Sequence, residues 1–287
     1  MKIGLDVGGT STAFALFDQG KIVESFELPS GKTKEVFLKT IIKGISKLYN
    51  DKVGSIGIGI PGPASYEQGL VLESPNIPLY NFNLLDYLKK RFKAEYAMEN
   101  DAVCFALGEA LFGAGKGKKF VVGVTLGTGV GGGIIIDGKP FKGLGNAGHF
   151  SKMILRNEFT NDHFFKYHTF ETLCSERGLL ARVQGFKSGK DLFLAAKKGN
   201  KDAIMAFKSY GRDLGLALGS LIGILDPEII VIGGGPALSW DFFHKDMMAA
   251  INDTIQIHPQ LIKEGKVCKI VRQSDPNSAI LGACSLL

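Results

Sequence analysis

The sequence predicts an α/β protein of two domains, each built on a mixed sheet, and three observations carry that expectation. Strand-like apolar runs alternate with helix-length segments along 287 residues, a length that suits two moderate domains. A three-strand pattern at the N-terminal end returns near the middle of the chain. Glycine, at 38 residues, gathers at the ends of apolar runs rather than in a linker.

The elements follow in order. From Lys2, "KIGLDVGG", "TAFALFD" and "KIVESFEL" read as three strands, with the "DQG" turn joining the last two. A helix is expected over 35–49, then the strand "SIGIGI", a loop "PGPASYEQGLVLESPNIP", a helix over 84–92, the short strand "EYAME" and a helix over 102–112. From Lys119 the first pattern repeats as "KFVVGVTLG", "GGGIIID", an Asp137-Gly138 turn and "KPF". Gly9-Thr10 matches Gly127-Thr128 and Gly20-Lys21 matches Gly138-Lys139 at one common offset, the mark of a duplication. An irregular segment (141–169) and several helices precede the strand "EIIVIGGG", a helix over 242–251 and the late strand "KVCKIVRQ". The division is expected at 1–115 and 116–287, with a hinge at 113–118 and the last helix free to return to the first domain.

Composition narrows the function classes. The formal charge of +6 suits anionic small molecules, and the lysines are too dispersed for a nucleic-acid surface. No apolar run reaches membrane-span length and no signal peptide precedes the first strand, so neither a membrane nor an export route is expected. The four cysteines form no CxxC pair, which fits reduced thiols in a cytoplasmic protein.

A glycine-rich turn at a strand end brings backbone N–H groups close to phosphate because no Cβ intervenes. "LDVGGTST" offers Gly8 and Gly9 with the hydroxyls of Thr10, Ser11 and Thr12. Asp6 is suited to hold a hydrated Mg2+ that bridges phosphates. Gly127-Thr128-Gly129 repeats the device, and Gly233-Gly234-Gly235 closes another apolar strand. Each alone is equally a hairpin turn, and none is a Walker or Rossmann loop. Together they point to a nucleotide cleft between domains.

"MENDA" puts Asn100 and Asp101 at a strand tip before a helix. The bland reading of Asp101 is a helix N-cap. The functional reading is a general base that takes the proton of an acceptor alcohol as a phosphoryl group moves to it, with Asn100 fixing a neighbouring hydroxyl. A base of ordinary pKa suffices for a loose transition state.

"LDVGGTST", "GIGIPGPA", "SPNIP", "MENDAVCFALGEALFGAGKG", "TLGTGVGGGIIIDGKPFKGLGNAGH" and "DPEIIVIGGG", in this order, resemble the ROK family of bacterial sugar kinases and repressors. The resemblance implies a ribonuclease H-like/actin-like ATPase fold and ATP-dependent phosphorylation of a hexose or amino-hexose at the 6-hydroxyl. It implies Asp101 as base, and Asn100, Asn76, Gly62, Pro63 and Ala64 at the sugar. It places Asp6, Gly8, Gly9, Thr10, Thr12, Thr128 and Gly129 at the phosphates and Gly234 and Gly235 on the adenosine side. The family is commonly dimeric, which implies a homodimer.

Two departures stand out. Where the family has Glu-x-Gly-His at the sugar, this chain has His149, Phe150, Ser151 and Lys152. Where some members carry zinc-binding cysteines, it reads "DHFFKYHTFETLCSE", which keeps a sugar-binding Glu as Glu171 but has Thr169 at the place of the last cysteine. Cys174, His163 and His168 make no closed four-ligand set, so no zinc site is expected and the two histidines are read as solvated loop residues. His149 and Lys152 either re-specify the sugar pocket or weaken turnover. The alternative to a kinase is thus a catalytically weak or silent sugar-binding protein of the same fold. With the first strand read from Lys2, no DNA-binding helix-turn-helix is expected ahead of it.

Overall fold

The computed structural model describes residues 1–74, 76–160, 162, 165–256, 260–261 and 264–287. Its strands are β1 (Lys2–Val7), β2 (Ser11–Asp18), β3 (Lys21–Pro29), β4 (Ser55–Ile60), β5 (Ala64–Ser65), β6 (Leu70–Glu73), β7 (Tyr80–Asn83), β8 (Glu95–Asn100), β9 (Phe120–Leu126), β10 (Val130–Ile136), β11 (Lys139–Pro140), β12 (Ile154–Phe159), β13 (Tyr167–Thr169), β14 (Ile229–Gly233) and β15 (Lys269–Arg272). The helices used below are α1 (Lys34–Leu48), α2 (Leu84–Lys89), α3 (Asp101–Leu111), α4 (Phe170–Cys174), α5 (Glu176–Leu180), α6 (Gly189–Lys197), α7 (Lys201–Leu225), α8 (Trp240–Ile255) and α9 (Ser278–Cys284).

Two five-stranded sheets have the same plan. One runs β3-β2-β1-β4-β8 and the other β11-β10-β9-β14-β15. In both, a meander is followed by parallel strands: β1 with β4 and β4 with β8, then β9 with β14 and β14 with β15. The repeat in the sequence is therefore a repeat of topology.

Two compact units emerge, residues 1–119 with 133–148 and 273–287, and residues 120–132 with 149–272. They differ from the halves 1–115 and 116–287 expected along the chain. In the first unit Gly133 lies so close to α3 that a Cβ there would stand 2.8 Å from Val103 Cα and Ala106 Cβ.

The first unit buries one face of its sheet under α1, whose apolar residues recur at helical spacing: Phe37, Leu38, Ile41, Ile45 and Leu48. Thr33 caps this helix by accepting the Val36 N–H, worth about 1 kcal/mol. The other face carries α3 and α9. These two helices touch at the backbone: a Cβ on Gly282 would stand 1.7 Å from the Cys104 carbonyl, and one on Gly108 would stand 1.8 Å from that of Ser278. The buried Glu109 ties the pair further, accepting from the Ser278 hydroxyl (2.6 Å) and the Ala114 N–H (2.8 Å).

The segment expected as a plain loop after "SIGIGI" forms a small antiparallel sheet, β5-β6-β7. Its hairpin turns through Gly69, and Ala64 pairs with Val71. In the second unit α7 packs along α8, and the segment 141–169 contains the β12–β13 ribbon rather than irregular chain alone. His168 pairs with Arg156 in that ribbon, half-buried, instead of in a solvated loop; His163 lies outside the described residues.

Candidate active site

The register of the first sheet sets one row of residues on the α3 face. Glu99, Gly59, Asp6, Ala13 and Glu27 are consecutive cross-strand partners on β8, β4, β1, β2 and β3. Cross-strand partners share a face, so three carboxylates stand in line with only small residues between them. A Cβ on Gly59 would lie 3.1 Å from the Cys104 sulfur, so this gap is where α3 approaches the sheet.

The N-terminus of α3 is built by its own polar residues. Asn100, not Asp101, is the N-cap: its Oδ1 accepts the Ala102 N–H at 3.0 Å. Asp101 is the first helical residue, and its Oδ1 also accepts the Ala102 N–H, at 2.9 Å. Close packing raises the Asp101 carboxyl above the usual carboxylate range, with that hydrogen bond opposing the shift. The carboxyl expected as the base is thus shifted upward rather than ordinary.

Burial likewise raises Asp6 to about 7, reinforced by the carboxylates of Asp101 and Glu27. A carboxyl with a raised folded pKa favours the folded state fully at low pH, and that contribution is lost as pH rises from 3.8 through about 7. Asp6→Asn is neutral throughout, so its melting temperature should exceed the parent's by more at pH 8 than at pH 5. The difference corresponds to a few kcal/mol at most. Equal pH dependence in the two proteins would disprove it.

The first glycine loop is closed from within. Gly8 N–H donates to the Ser11 carbonyl (2.9 Å), and the Ser30 hydroxyl donates to the Gly8 carbonyl (2.6 Å). Thr12, expected among the phosphate contacts, is wholly buried, and its hydroxyl bonds Ser30 Oγ at 2.8 Å. Since the Ser30 proton is already committed to Gly8, Thr12 is the donor and has no proton left to offer outside the loop. Gly9 and Thr10 are exposed at the turn. A Cβ on Gly9 would meet the Asn76 carbonyl at 2.7 Å, which brings the expected sugar residue Asn76 against the loop.

Gly62, Pro63 and Ala64 lead into β5. The Pro63 carbonyl accepts the Leu72 N–H, and Tyr66 donates its hydroxyl proton to the Gly62 carbonyl at 2.8 Å. A cavity of about 360 Å³ opens here, lined by Ala64, Tyr66, Glu67, Glu99, Lys142 and Asn146 among others. Burial raises the Tyr66 phenol strongly, with an opposing hydrogen bond from Asn100 and added repulsion from Glu99 and Asp101. The cavity wall thus lies within electrostatic reach of Asp101. Sequence reasoning did not assign Tyr66, Glu99, Lys142 or Asn146 to the site.

The second unit holds the other expected residues. Gly127 N–H donates to the Gly129 carbonyl at 2.9 Å, leaving Thr128 exposed at the tip of the β9–β10 turn. Gly234 has φ +92°, and a Cβ on it would stand 1.9 Å from the Leu126 carbonyl, so only glycine fits. Gly234 and Gly235 are both exposed, and the Gly234 contact sets their turn beside the end of β9. Glu171, expected at the sugar, uses Oε2 to accept the Val130 N–H at 3.0 Å, and a Cβ on Gly129 would stand 2.6 Å from that oxygen. His149 is half-buried and precedes a short 3-10 turn, Phe150–Lys152, whose last residue Lys152 is exposed.

Among the described residues no group of three or more His, Cys, Asp or Glu side chains is arranged to hold a metal directly. The β12–β13 ribbon is instead pinned by an ion triad: Arg156 (2.5 Å) and Arg182 (2.8 Å) both engage the buried Asp213. For Mg2+, the carboxylates of Asp101 and Glu27 near Asp6 would favour a hydrated cation held through water, since no cluster among the described residues would ligate it directly.

The model of the ROK family matches residues 2–287. The chain belongs to the ROK family. Among curated relatives, the glucokinase of Halalkalibacterium halodurans is 32% identical over 272 residues, covering 83% of this chain and 81% of that protein. The N-acetyl-D-glucosamine kinase of Haemophilus influenzae is 29% identical and covers 100% of this chain and 99% of its own length. Among solved structures, a ROK glucokinase from Streptomyces griseus in complex with glucose and AMPPNP superposes with a TM-score of 0.83 at 26% identity, covering 99% and 98% of the two chains. This ROK chain therefore has the actin-like ATPase fold of the family's sugar kinases. No helix among its described residues is long and apolar enough to cross a membrane.

Proposed function

We propose that this ROK protein transfers the terminal phosphoryl group of ATP to a hydroxyl of a hexose or amino-hexose, the 6-hydroxyl first, with Asp101 as general base. It is an ATP-dependent carbohydrate kinase by family and by its curated relatives. The observation that carries the residue-level reading is Asp101 at the tip of α3, close enough to act electrostatically on Tyr66 in the wall of a polar, sugar-sized cavity.

The acceptor hydroxyl gives its proton to the Asp101 carboxylate as its oxygen bonds to phosphorus and the ADP oxygen leaves. A raised pKa makes Asp101 a better proton acceptor, provided it is ionised at working pH. Mg2+ held through water at Asp6 would offset phosphate charge. Exposed backbone at Gly9 and Thr10, and at Thr128 beside the half-buried Gly129, serves the phosphates, while Gly234 and Gly235 take the adenosine side. Asn100, whose Oδ1 caps α3, presents only its amide N–H2 to a sugar. Asn76 and the 62–64 loop line the acceptor.

One observation favours a weaker enzyme. His149 and Lys152 stand in place of the family's Glu and His, and one oxygen of Glu171 is committed to Val130. A protein that binds sugar and turns it over slowly would titrate with sugar in calorimetry without matching ADP release. The deciding assay measures ADP release over a panel of hexoses, amino-sugars and sugar acids. We expect turnover with at least one hexose-type acceptor; an ATP-only background across the panel overturns the kinase reading.

A further inference from the structure

We propose that Lys142 is an acceptor-facing residue of this cavity and that its ion pair with Glu99 holds the corner on which the base sits. The proposal rests on the kinase reading of the same site.

The Lys142 ammonium lies 3.4 Å from Glu99 Oε2. The other Glu99 oxygen, Oε1, accepts the N–H of Asn100 at 2.9 Å. Asn100 in turn caps α3 at Ala102, the residue whose N–H also meets Asp101. An unbroken run of polar contacts thus leads from the ammonium to the base. Glu99 is buried, its side chain 6% exposed, and a buried carboxylate left without a paired cation is costly to the fold. Lys142 supplies that cation. Its own side chain is 46% exposed and lines the cavity.

Lys142 is not on a loose tip. Its carbonyl accepts two N–H groups, from Gly145 (2.7 Å) and Ala147 (3.1 Å), which fold residues 142–147 into a closed turn. Gly143 (φ +55°) and Gly145 (φ +106°) supply the left-handed backbone that this turn needs. The ammonium has three N–H donors, and Glu99 accounts for one. Lys142 is also the cation of a cavity whose other charged walls, Glu67 and Glu99, are acidic. An acceptor oxygen entering the cavity therefore meets a donor that is already tied to the base's support. Sugar contact and base alignment become one mechanical unit.

The test is steady-state kinetics on the full chain with Lys142→Met, Lys142→Arg, Glu99→Gln and the Lys142→Met/Glu99→Gln double variant. Losing hydrogen bonds to a charged group should lower acceptor kcat/KM by about 10- to 100-fold, with KM for ATP unchanged. Lys142→Arg should recover most of the activity. The double variant should be little worse than either single one, because both break the same link. Wild-type kcat and acceptor KM in Lys142→Met, or an equal rise in KM for ATP, overturns the proposal. If the wild type releases no ADP with any sugar, the kinase reading fails, and calorimetric titration with the same sugars decides this one. At least tenfold weaker binding by Lys142→Met upholds it; equal affinity, or no binding by either protein, overturns it.

Discussion

Asp101→Asn is expected to lower kcat for the preferred acceptor by about 10²- to 10⁴-fold with little change in acceptor KM. Asparagine keeps the shape of the side chain and an oxygen for the Ala102 N–H, so the start of α3 should survive intact. What disappears is the proton acceptor. Because Asp101 is held against its preference for water, the variant should melt no lower than the parent. In the parent, kcat should fall on acidification along a limb set by a carboxyl raised above the ordinary aspartate range. That limb should be missing from the residual rate of the variant. Retention of a tenth or more of the activity by Asp101→Asn would remove this carboxyl from the chemistry.

The second large effect concerns folding. Gly282→Val puts a branched side chain where even a Cβ would lie 1.7 Å from the Cys104 carbonyl. The backbone of α3 cannot move aside without shifting Asp101, so α9 must lift away. Overpacking of this kind costs about 3 kcal/mol. We expect a melting temperature lowered by several degrees and a parallel loss of turnover. Gly223→Ala is the control: this exposed glycine of α7 has open space around its Cβ position, and the change should stabilise by about 1 kcal/mol or less. If Gly282→Val melts with the parent, the contact between α3 and α9 is not the constraint described.

The parts of this molecule that the sequence makes legible are those decided locally. Apolar runs such as "KIGLDV" and "KFVVGV" become central strands, and the common offset of the turns beside them becomes a common sheet plan. Asp6 and Asp101 draw attention because each ends a strand beside glycine or opens a helix. What the sequence hides is decided by partners far along the chain. Thr12 looks like a free hydroxyl until Ser30 folds onto it. Glu99 joins Asp6 only through the register of three strands. Lys142 looks like a surface charge, since its partner Glu99 is brought to it by packing. The β5-β6-β7 sheet was hidden for a simpler reason: its strands are two to four residues long, too short for alternation to register.

The placement of α9 also bears on biosynthesis. Residues 273–287 belong to the first unit, yet a ribosome delivers them after residue 272, the last of the second. The half that begins earliest must therefore wait, unfinished, until its partner has been made. During that interval the groove over β1 and β4 that α9 will fill exposes apolar surface. Slow translation across this stretch would prolong the exposure, and any chaperone dependence of the protein should centre there.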